Sequence, residues 1–464
     1  MLTPQDTDID RGMTSRRSGR FASLNNWISF AGLVVVAGSV FAFLLLFAID
    51  SMTGHANAYM GILTYLGSPA FLILGLFLML IGWWIHRRHL ARIDPSEAPL
   101  TVVLDLSNAR DRRKILIFSL SSLAFLMLSA LGSYRTYHFT ESVMFCGEIC
   151  HAVMEPEYVT YLQSPHARVA CVECHIGSGV DWFVKSKISG LRQVYAVLAD
   201  TYERPIETPI LNLRPAQDTC EQCHWPQKFV GNLDRTYVHY LSDVDNTPFF
   251  VRMLLKVGGG DSSTGPVGGI HWHTNAENRV EYFASDDKRM EIPWVRVTNA
   301  SGEVTVYRSE GYEGEPLETQ VRTMDCMDCH NRPAHIFPTP NDAVDQAIYM
   351  GRLDRGFEDL RFNVVDLLTM EYESKAEAFE AIREGLTDYY DGSDELESLI
   401  SEVQSIYAQT FFPEMKADWS HYPEHIGHKD WPGCFRCHDG HHLAEDSGAS
   451  LPVAKHECNA CHLI

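Results

Sequence analysis

Every cysteine in this chain belongs to a pair, and every pair is followed at once by a histidine. The runs are Cys146/Cys150/His151, Cys171/Cys174/His175, Cys220/Cys223/His224, Cys326/Cys329/His330, Cys434/Cys437/His438 and Cys458/Cys461/His462. Together they use all 12 cysteines. Five of the runs have the Cys-x-x-Cys-His spacing of covalent c-type haem attachment. The two thiols add across the haem vinyl groups, and the adjacent imidazole meets the iron from the side those bonds set. The first run has one extra residue between its cysteines, which asks only for a slightly wider loop. Structural zinc pairs two Cys-x-x-Cys knuckles but has no need of a histidine after each. A disulfide framework has no use for that histidine either. The expected cofactors are therefore six c-type haems.

Three apolar stretches precede the first run: Trp27 to Ile49, Ile62 to Ile85 and Ile115 to Leu131, none with an Asp, Glu, Lys or Arg. The first two exceed the roughly 20 residues that cross a bilayer, and the third is near the lower limit of about 17. Arg11, Arg16, Arg17 and Arg20 precede the first stretch, and seven Lys/Arg lie between Arg87 and Lys114. The Asp50–Met60 loop has none. By the positive-inside rule the N-terminus and the 86–114 loop are cytoplasmic, and everything after Leu131 lies outside. His55-Ala56-Asn57-Ala58 could be a cleavage site, but the first stretch is long for a signal peptide and reads as an uncleaved anchor. The expected place is the inner membrane of a bacterium, with the haem-bearing part in the periplasm. A formal charge of −22 argues against nucleic-acid binding. It suits a face that meets a complementary protein.

The fold class expected is a membrane-anchored multihaem cytochrome c. Three transmembrane helices precede an α-helical, loop-rich haem domain with a small β-rich insertion. The divisions are a cytoplasmic tail at 1–26, the anchor at 27–133, a first haem domain at 134–235 carrying three motifs, the insertion at 236–320, and a C-terminal haem domain at 321–464 carrying three more. Residues 180–204 place apolar side chains at helical intervals and read as an amphipathic helix, on the membrane surface or packed on the haem domain. Strands are expected at Tyr237–Leu241, Phe249–Val257, Val280–Ala284, Glu291–Val297 and Val304–Tyr307. A haem-free insert of this kind reads as a docking or shielding element. Helices are expected over Asn341–Leu353, Ser374–Tyr390 and Asp394–Phe411, with Asp394 as a cap.

Each iron needs a sixth ligand or stays open. The chain has 21 histidines, enough beyond the motif histidines and those near the membrane to make most haems bis-histidine. Such haems transfer electrons and bind no substrate at iron. The leading candidates are His166, in Ser164-Pro165-His166 just before Cys171, and His335, in the turn after the fourth motif. His271 or His273, His425 or His428, and then His442 follow. Met154, three residues after His151, could serve the first haem and would raise its potential.

An apolar anchor followed at once by Cys146–His151 and then Ser164–His175 resembles the NapC/NirT family of membrane-anchored cytochromes, mainly over residues 115–230. The longer chain, with Cys434–His438 followed by Asp439-Gly440, is similar to larger inner-membrane cytochromes of metal-respiring bacteria. The resemblance implies oxidation of quinol, here menaquinol, at the membrane surface. Electrons would then pass outward to a periplasmic multihaem or soluble cytochrome or a reductase. Such family members typically have one anchor helix and four haems, whereas this chain has three apolar stretches and six motifs. The resemblance also implies a quinol site with a lysine, at Lys185 or Lys187, and an acid, at Asp181, Asp200 or Glu148. From placement alone, a haem tethered at the bilayer surface can take electrons from a lipid-soluble donor, with Glu148, Glu155 or Asp181 accepting the proton. The alternatives are an electron-transfer subunit without its own quinol site, and a terminal reductase with one open haem.

Overall fold

The structure, a computed structural model, describes residues 27–52, 67–90, 107–149, 151–177, 180–208, 214–259, 268–275, 277–452 and 458–464. The expected tail at 1–26, the start of the second apolar stretch, His55, Cys150 and His456 lie outside those residues. So do the side chains of His151, Asp181 and Lys187. The chain divides into two compact units, one running to Thr136 and one holding nearly everything after it.

In the first unit, α1 (Trp27–Met52) and α2 (Ser68–Leu90) pack against each other. Glycine makes the approach possible. A Cβ on Gly32 would stand 2.7 Å from the Gly75 carbonyl oxygen, and one on Gly75 would stand 2.9 Å from that of Gly32. Small residues at a helix crossing are what apolar helices use where water supplies no driving force. The Ser39 hydroxyl donates to the Ser68 carbonyl across the same contact. Phe41, Leu44, Ile73, Phe77 and Leu80 project outward, uncovered by protein. Among the described residues these two helices are long and apolar enough to cross a membrane, and the third apolar stretch follows them. It lies within α3 (Ala109–Thr140), a 32-residue helix whose first turns carry Arg110, Arg112, Arg113 and Lys114.

In the second unit, α4 (His151–Gln163) follows the first motif and α5 (Val180–Leu198) follows the second. Leu191 and Leu198 on α5 are 73% and 82% exposed, and Ile188, Val194 and Tyr195 are exposed beside them. The expected strands appear as β1 (Leu233–Tyr240), β2 (Pro248–Leu255), β3 (Arg279–Phe283), β4 (Trp294–Thr298) and β5 (Val304–Ser309), joined by a short β6 (Arg322–Thr323). They do not form a closed insertion. The three-stranded sheet runs β1-β2-β8 and the five-stranded sheet runs β6-β3-β4-β5-β7, with β7 (His442–Ala444) and β8 (His462–Leu463) coming from the C-terminal segment. Tyr307 pairs with Ala444, and Leu255 with His462. Both sheets therefore tie the last two motifs to residues before the fourth.

The helices α6 (Pro340–Tyr349), α7 (Leu360–Thr369), α8 (Lys375–Tyr390) and α9 (Leu396–Thr410) enclose the main apolar core, built on Val344, Leu360, Val364, Ile382, Leu386, Ile400 and Val403. Thr339 and Ser374 cap α6 and α8 through their side-chain oxygens. Asp394 does not cap α9, which starts at Leu396 from Glu395 without a side-chain cap. The sequence reading did not include α7, a short helix. Asn246 pins it: fully buried, its amide donates to the carbonyls of Arg355 (3.1 Å) and Phe357 (2.7 Å), and its carbonyl accepts from Arg361 N–H (2.9 Å). Its φ of 47° is left-handed, where Asn is tolerated better than most residues.

Asn246→Ala leaves three buried backbone groups unpaired, each worth about 1–3 kcal/mol when left so. The thermal midpoint of the purified protein, followed by far-ultraviolet circular dichroism, is expected to drop by several degrees. An unchanged midpoint would mean that Asn246 does not staple the β1–β2 turn to α7.

Candidate haem centres

Each described motif folds as one tight turn. The His224 N–H donates to the Cys220 carbonyl (2.8 Å), His330 to Cys326 (2.8 Å) and His438 to Cys434 (3.0 Å). Residues 171–175 form a helical turn of their own. A turn of this pitch puts both thiols and the following imidazole on one face, which the spacing requires. The first motif differs in the way its extra residue demands: Phe145–Ile149 is a π-helical turn, the form in which a helix absorbs one additional residue.

The sequence reading sets the first attachment pair apart by its spacing, and the structure adds differences in exposure among the others. Cys223, Cys434 and Cys458 are exposed, whereas Cys146, Cys171, Cys174, Cys220, Cys326, Cys329, Cys437 and Cys461 are half-buried. In three motifs, therefore, protein encloses one thiol of the pair and leaves the other at the surface. Cys223 shows the reason. Its neighbours Gln222, His224 and Trp225 are exposed with it, and Arg214 and Ala216 are the buried residues of that stretch, so little protein is at hand to cover the thiol. Cys223 nevertheless stands close enough to Cys174 for its charge to add to the burial that raises the Cys174 pKa. None of these cysteines forms a disulfide.

The histidines of the other five motifs each face a second histidine. Ring centres are 6.3 Å apart for His175 and His335, 6.1 Å for His224 and His166, 6.3 Å for His330 and His271, 5.6 Å for His438 and His273, and 6.1 Å for His462 and His428. Two imidazole nitrogens each about 2 Å from one metal stand about 4 Å apart, with ring centres about 6 Å apart. The five pairs have that separation. For His438 and His273 the two Nε2 atoms face each other at 3.4 Å.

The far side of these rings is turned toward backbone oxygen. Nδ1 faces the carbonyl of Pro333 in His166 (3.0 Å), Glu157 in His335 (2.8 Å), Val257 in His271, Ile270 in His273 (2.9 Å) and Pro452 in His438 (2.9 Å). A hydrogen bond there sets the tautomer and leaves Nε2 with a lone pair, the usual second partner of a metal-bound histidine. Burial adds to this by pushing the basicity of His175, His273, His330 and His335 below the ordinary value. These rings stay neutral, as ligands must.

Local chain geometry explains the pairing. The Ser164 hydroxyl accepts from His166 N–H, and Tyr161 donates to the carbonyls of Ala167 and Val169, which holds the loop that aims His166. His271 and His273 lie in one 3₁₀ turn, where residues two apart point to different sides. Each therefore faces a histidine of a different motif, His271 that of the fourth and His273 that of the fifth. That turn starts at Gly269, φ +87°, where a Cβ would stand 2.5 Å from the Lys256 carbonyl oxygen. The segment expected to be haem-free thus supplies two of the five facing histidines.

Other candidates are placed differently. His428 stacks on Phe435 and faces His462, whereas His425 faces no motif histidine among the described residues. Its Nδ1 points at the Asp328 carbonyl (3.2 Å), and burial, with Arg436 nearby, pushes its pKa down to about 4. His442 has both nitrogens occupied, Nδ1 by Asp439 Oδ1 (2.9 Å) and Nε2 by the Ile292 carbonyl (2.6 Å), so it cannot serve as a ligand in this arrangement. His239 bonds Asp345, itself bound by Arg361, and belongs to a polar staple of β1 on α6 and α7. Met154 is half-buried on α4.

The motifs contact one another in chain order. The Cys146 and Cys171 thiols share a hydrogen bond that draws Cys171 down to about 7 against the effect of its burial. Cys220 and Cys326 are joined the same way. The fourth and fifth motifs are clamped by Arg436, which donates to the carbonyls of Gly433, Arg289 and Asp328 (2.9, 2.8 and 2.8 Å). Asp328, between the cysteines of the fourth motif, is buried and takes Tyr282, Arg289 and Arg322 on one carboxylate oxygen (2.6, 2.8 and 2.7 Å). Glu157 on α4 binds Arg332 with both oxygens (3.1 Å each) while touching the His335 ring. These clamps were not legible in sequence, although Asp328 and Arg436 sit inside Cys-x-x-Cys loops.

The residues present fit haem. Thiol pairs stand beside facing neutral imidazoles, and a cavity of about 330 Å³ lined by His273, Met324 and Cys326 adjoins the fourth motif. Among the described residues, those expected to handle quinol are not drawn into one cluster. Glu148 accepts from Tyr158 (3.1 Å), Lys185 lies over the Trp182 ring (4.6 Å), Asp200 binds Arg204, and Glu155 pairs with Lys375.

A family model for the N-terminal region of NapC/NirT cytochromes c matches residues 109–208. The chain is 42% identical to the cytochrome c-type protein ImcH of Geobacter sulfurreducens, over 97% of this chain and 89% of that one. It is 35% identical to the cytochrome c-type protein NrfH of Wolinella succinogenes, over 19% of this chain and 52% of that protein. No solved structure matches.

Replacing His428 with alanine should convert one low-spin centre to high spin, visible by electron paramagnetic resonance of the oxidised protein. His425→Ala should leave the low-spin count as it is. The opposite result would exchange the roles assigned to these two residues.

Proposed function

Because the chain belongs to the NapC/NirT family of membrane-anchored c-type cytochromes, we propose that it is a quinol dehydrogenase passing electrons from menaquinol through six haems to a periplasmic acceptor. The five facing histidine pairs carry this reading. An iron held between two imidazoles has no open position, so those sites carry electrons and bind no substrate. That favours a relay over a terminal reductase. When bound, each haem supplies a one-electron couple. The chain's part is to hold each in place, exclude water and keep successive sites within contact, as the thiol contacts between neighbouring motifs do.

On this reading α3 is a third span, and the haem domain stands in the periplasm. α3 ends at Thr140, five residues before the π-helical turn of the first motif, so that motif is the one nearest the bilayer along the chain. α5 follows the second motif with an exposed apolar face and the basic residues Lys185, Lys187 and Arg192. A helix of this kind settles at a membrane surface. The quinol head group would lie between it and the first motif, with Lys185 or Lys187 orienting a hydroxyl. Glu148 or Asp181 takes the proton. Glu155 is less suited, since Lys375 already engages it.

Stopped-flow reduction by menaquinol is expected to slow by tenfold or more in a Lys185→Gln/Lys187→Gln double variant, with the dithionite-reduced spectrum unchanged. An unaltered rate would leave a subunit without a quinol site of its own as the better reading. The intact mass of the mature protein should show six attached haems. Five would remove Cys146/Cys150 from the set.

A further inference from the structure

Arg214 is the side chain with least reason to be where it is. It is 6% exposed, and its Nε and Nη1 donors have no acceptor among the described residues. The guanidinium lies flat against Gly177, two residues beyond His175. A Cβ there would fall 1.6 Å from Nη1 and 2.4 Å from Cζ, and the +64° φ of Gly177 independently favours glycine. Arg214 is also six residues ahead of Cys220. It thus packs beside the second motif and leads into the third.

A guanidinium cannot shed its proton. Burying it without an anion costs several kcal/mol, so a folded chain that buries one must offer it an acceptor. We infer that Arg214 binds a propionate carboxylate of the haem on Cys171–His175 or on Cys220–His224. The inference rests on the haem reading, since each haem carries two such carboxylates and no carboxylate among the described residues takes the place. The planar fork of arginine suits a bidentate carboxylate. Glycine at 177 is the corresponding concession, because any side chain would displace the fork. Arg214 is accordingly a positioning residue: it neutralises the propionate and so raises the potential of the iron above what a bare carboxylate would allow.

The test uses the full-length protein in detergent, with Arg214→Gln and Arg214→Lys. Intact mass first reports whether all haems are attached. If the wild type lacks haem on these two motifs, the haem reading fails and the assignment of Arg214 falls with it. With haem present, a potentiometric titration should show one midpoint shifted negative in Arg214→Gln, the others in place, and partial recovery in Arg214→Lys. Should the glutamine variant not accumulate, redox-induced infrared difference spectra of the lysine variant and the wild type, with ¹³C-labelled propionates, give the same answer through a shifted carboxylate band. Full haem content with unmoved midpoints, or an unmoved labelled band, overturns the assignment while leaving the haem reading intact.

Discussion

A haem iron held by the chain on both sides needs two imidazoles, and only one of them can come from the attachment turn. The other must be delivered from elsewhere, with its ring opposed to the first and its Nδ1 satisfied. Much of the second unit answers that requirement. β2 pairs with β8, β5 pairs with β7, and the loop after the fourth motif is clamped to α4 by Arg332 and Glu157. The last of these contacts carries His335 to His175, and the two sheet pairings anchor the segments that hold the fifth and sixth motifs. The chain is stitched by its ligands, and the sheets and ion pairs hold the stitches in register.

The same requirement explains where the apolar core is. Val344, Leu360, Ile382 and Ile400 are completely buried within the four-helix portion, which carries no motif. Between Tyr137 and Leu233, by contrast, buried apolar residues are few among the described residues: Val153, Tyr161 and Ala216. A segment that size cannot offset its conformational entropy on so little burial. Covalently bound haem, burying large faces, supplies what the side chains do not. The exposure of Cys223, in the middle of that segment, follows from the same shortage of protein cover. Polar clamps replace packing elsewhere too, as at Asp328, where three donors converge on one buried carboxylate oxygen.

What was legible in the sequence follows from this division. The motifs were legible because haem attachment is local: thiol, thiol and imidazole within one turn. The strands of 233–309 and three helices of the core were legible from periodicity. The distal pairing was not, because it is a property of the fold. His166 stands nearest Cys171 in the chain yet faces His224, while His175 faces His335 from beyond the fourth motif. Nor could spacing separate His425 from His428. Gly427, whose +71° φ turns the chain between them, separates the two, and His428 is the one that stacks on Phe435 and faces His462. The π-helical turn at Phe145–Ile149 belongs between these cases, since an extra residue signals a wider turn without saying which kind.

The crossing of ligands also bears on how this chain relates to shorter members of its family. The family model covers residues 109–208, which include the first two motifs and His166. Yet the two partners those residues require, His335 for His175 and His224 for His166, both lie beyond residue 208. The N-terminal region is therefore not a self-contained module to which further motifs were appended. In this chain the histidine that faces His175 comes from beyond the β-rich segment, on a loop that Glu157 fastens to α4. The facing pairs thus tie the start of the second unit to its later motifs.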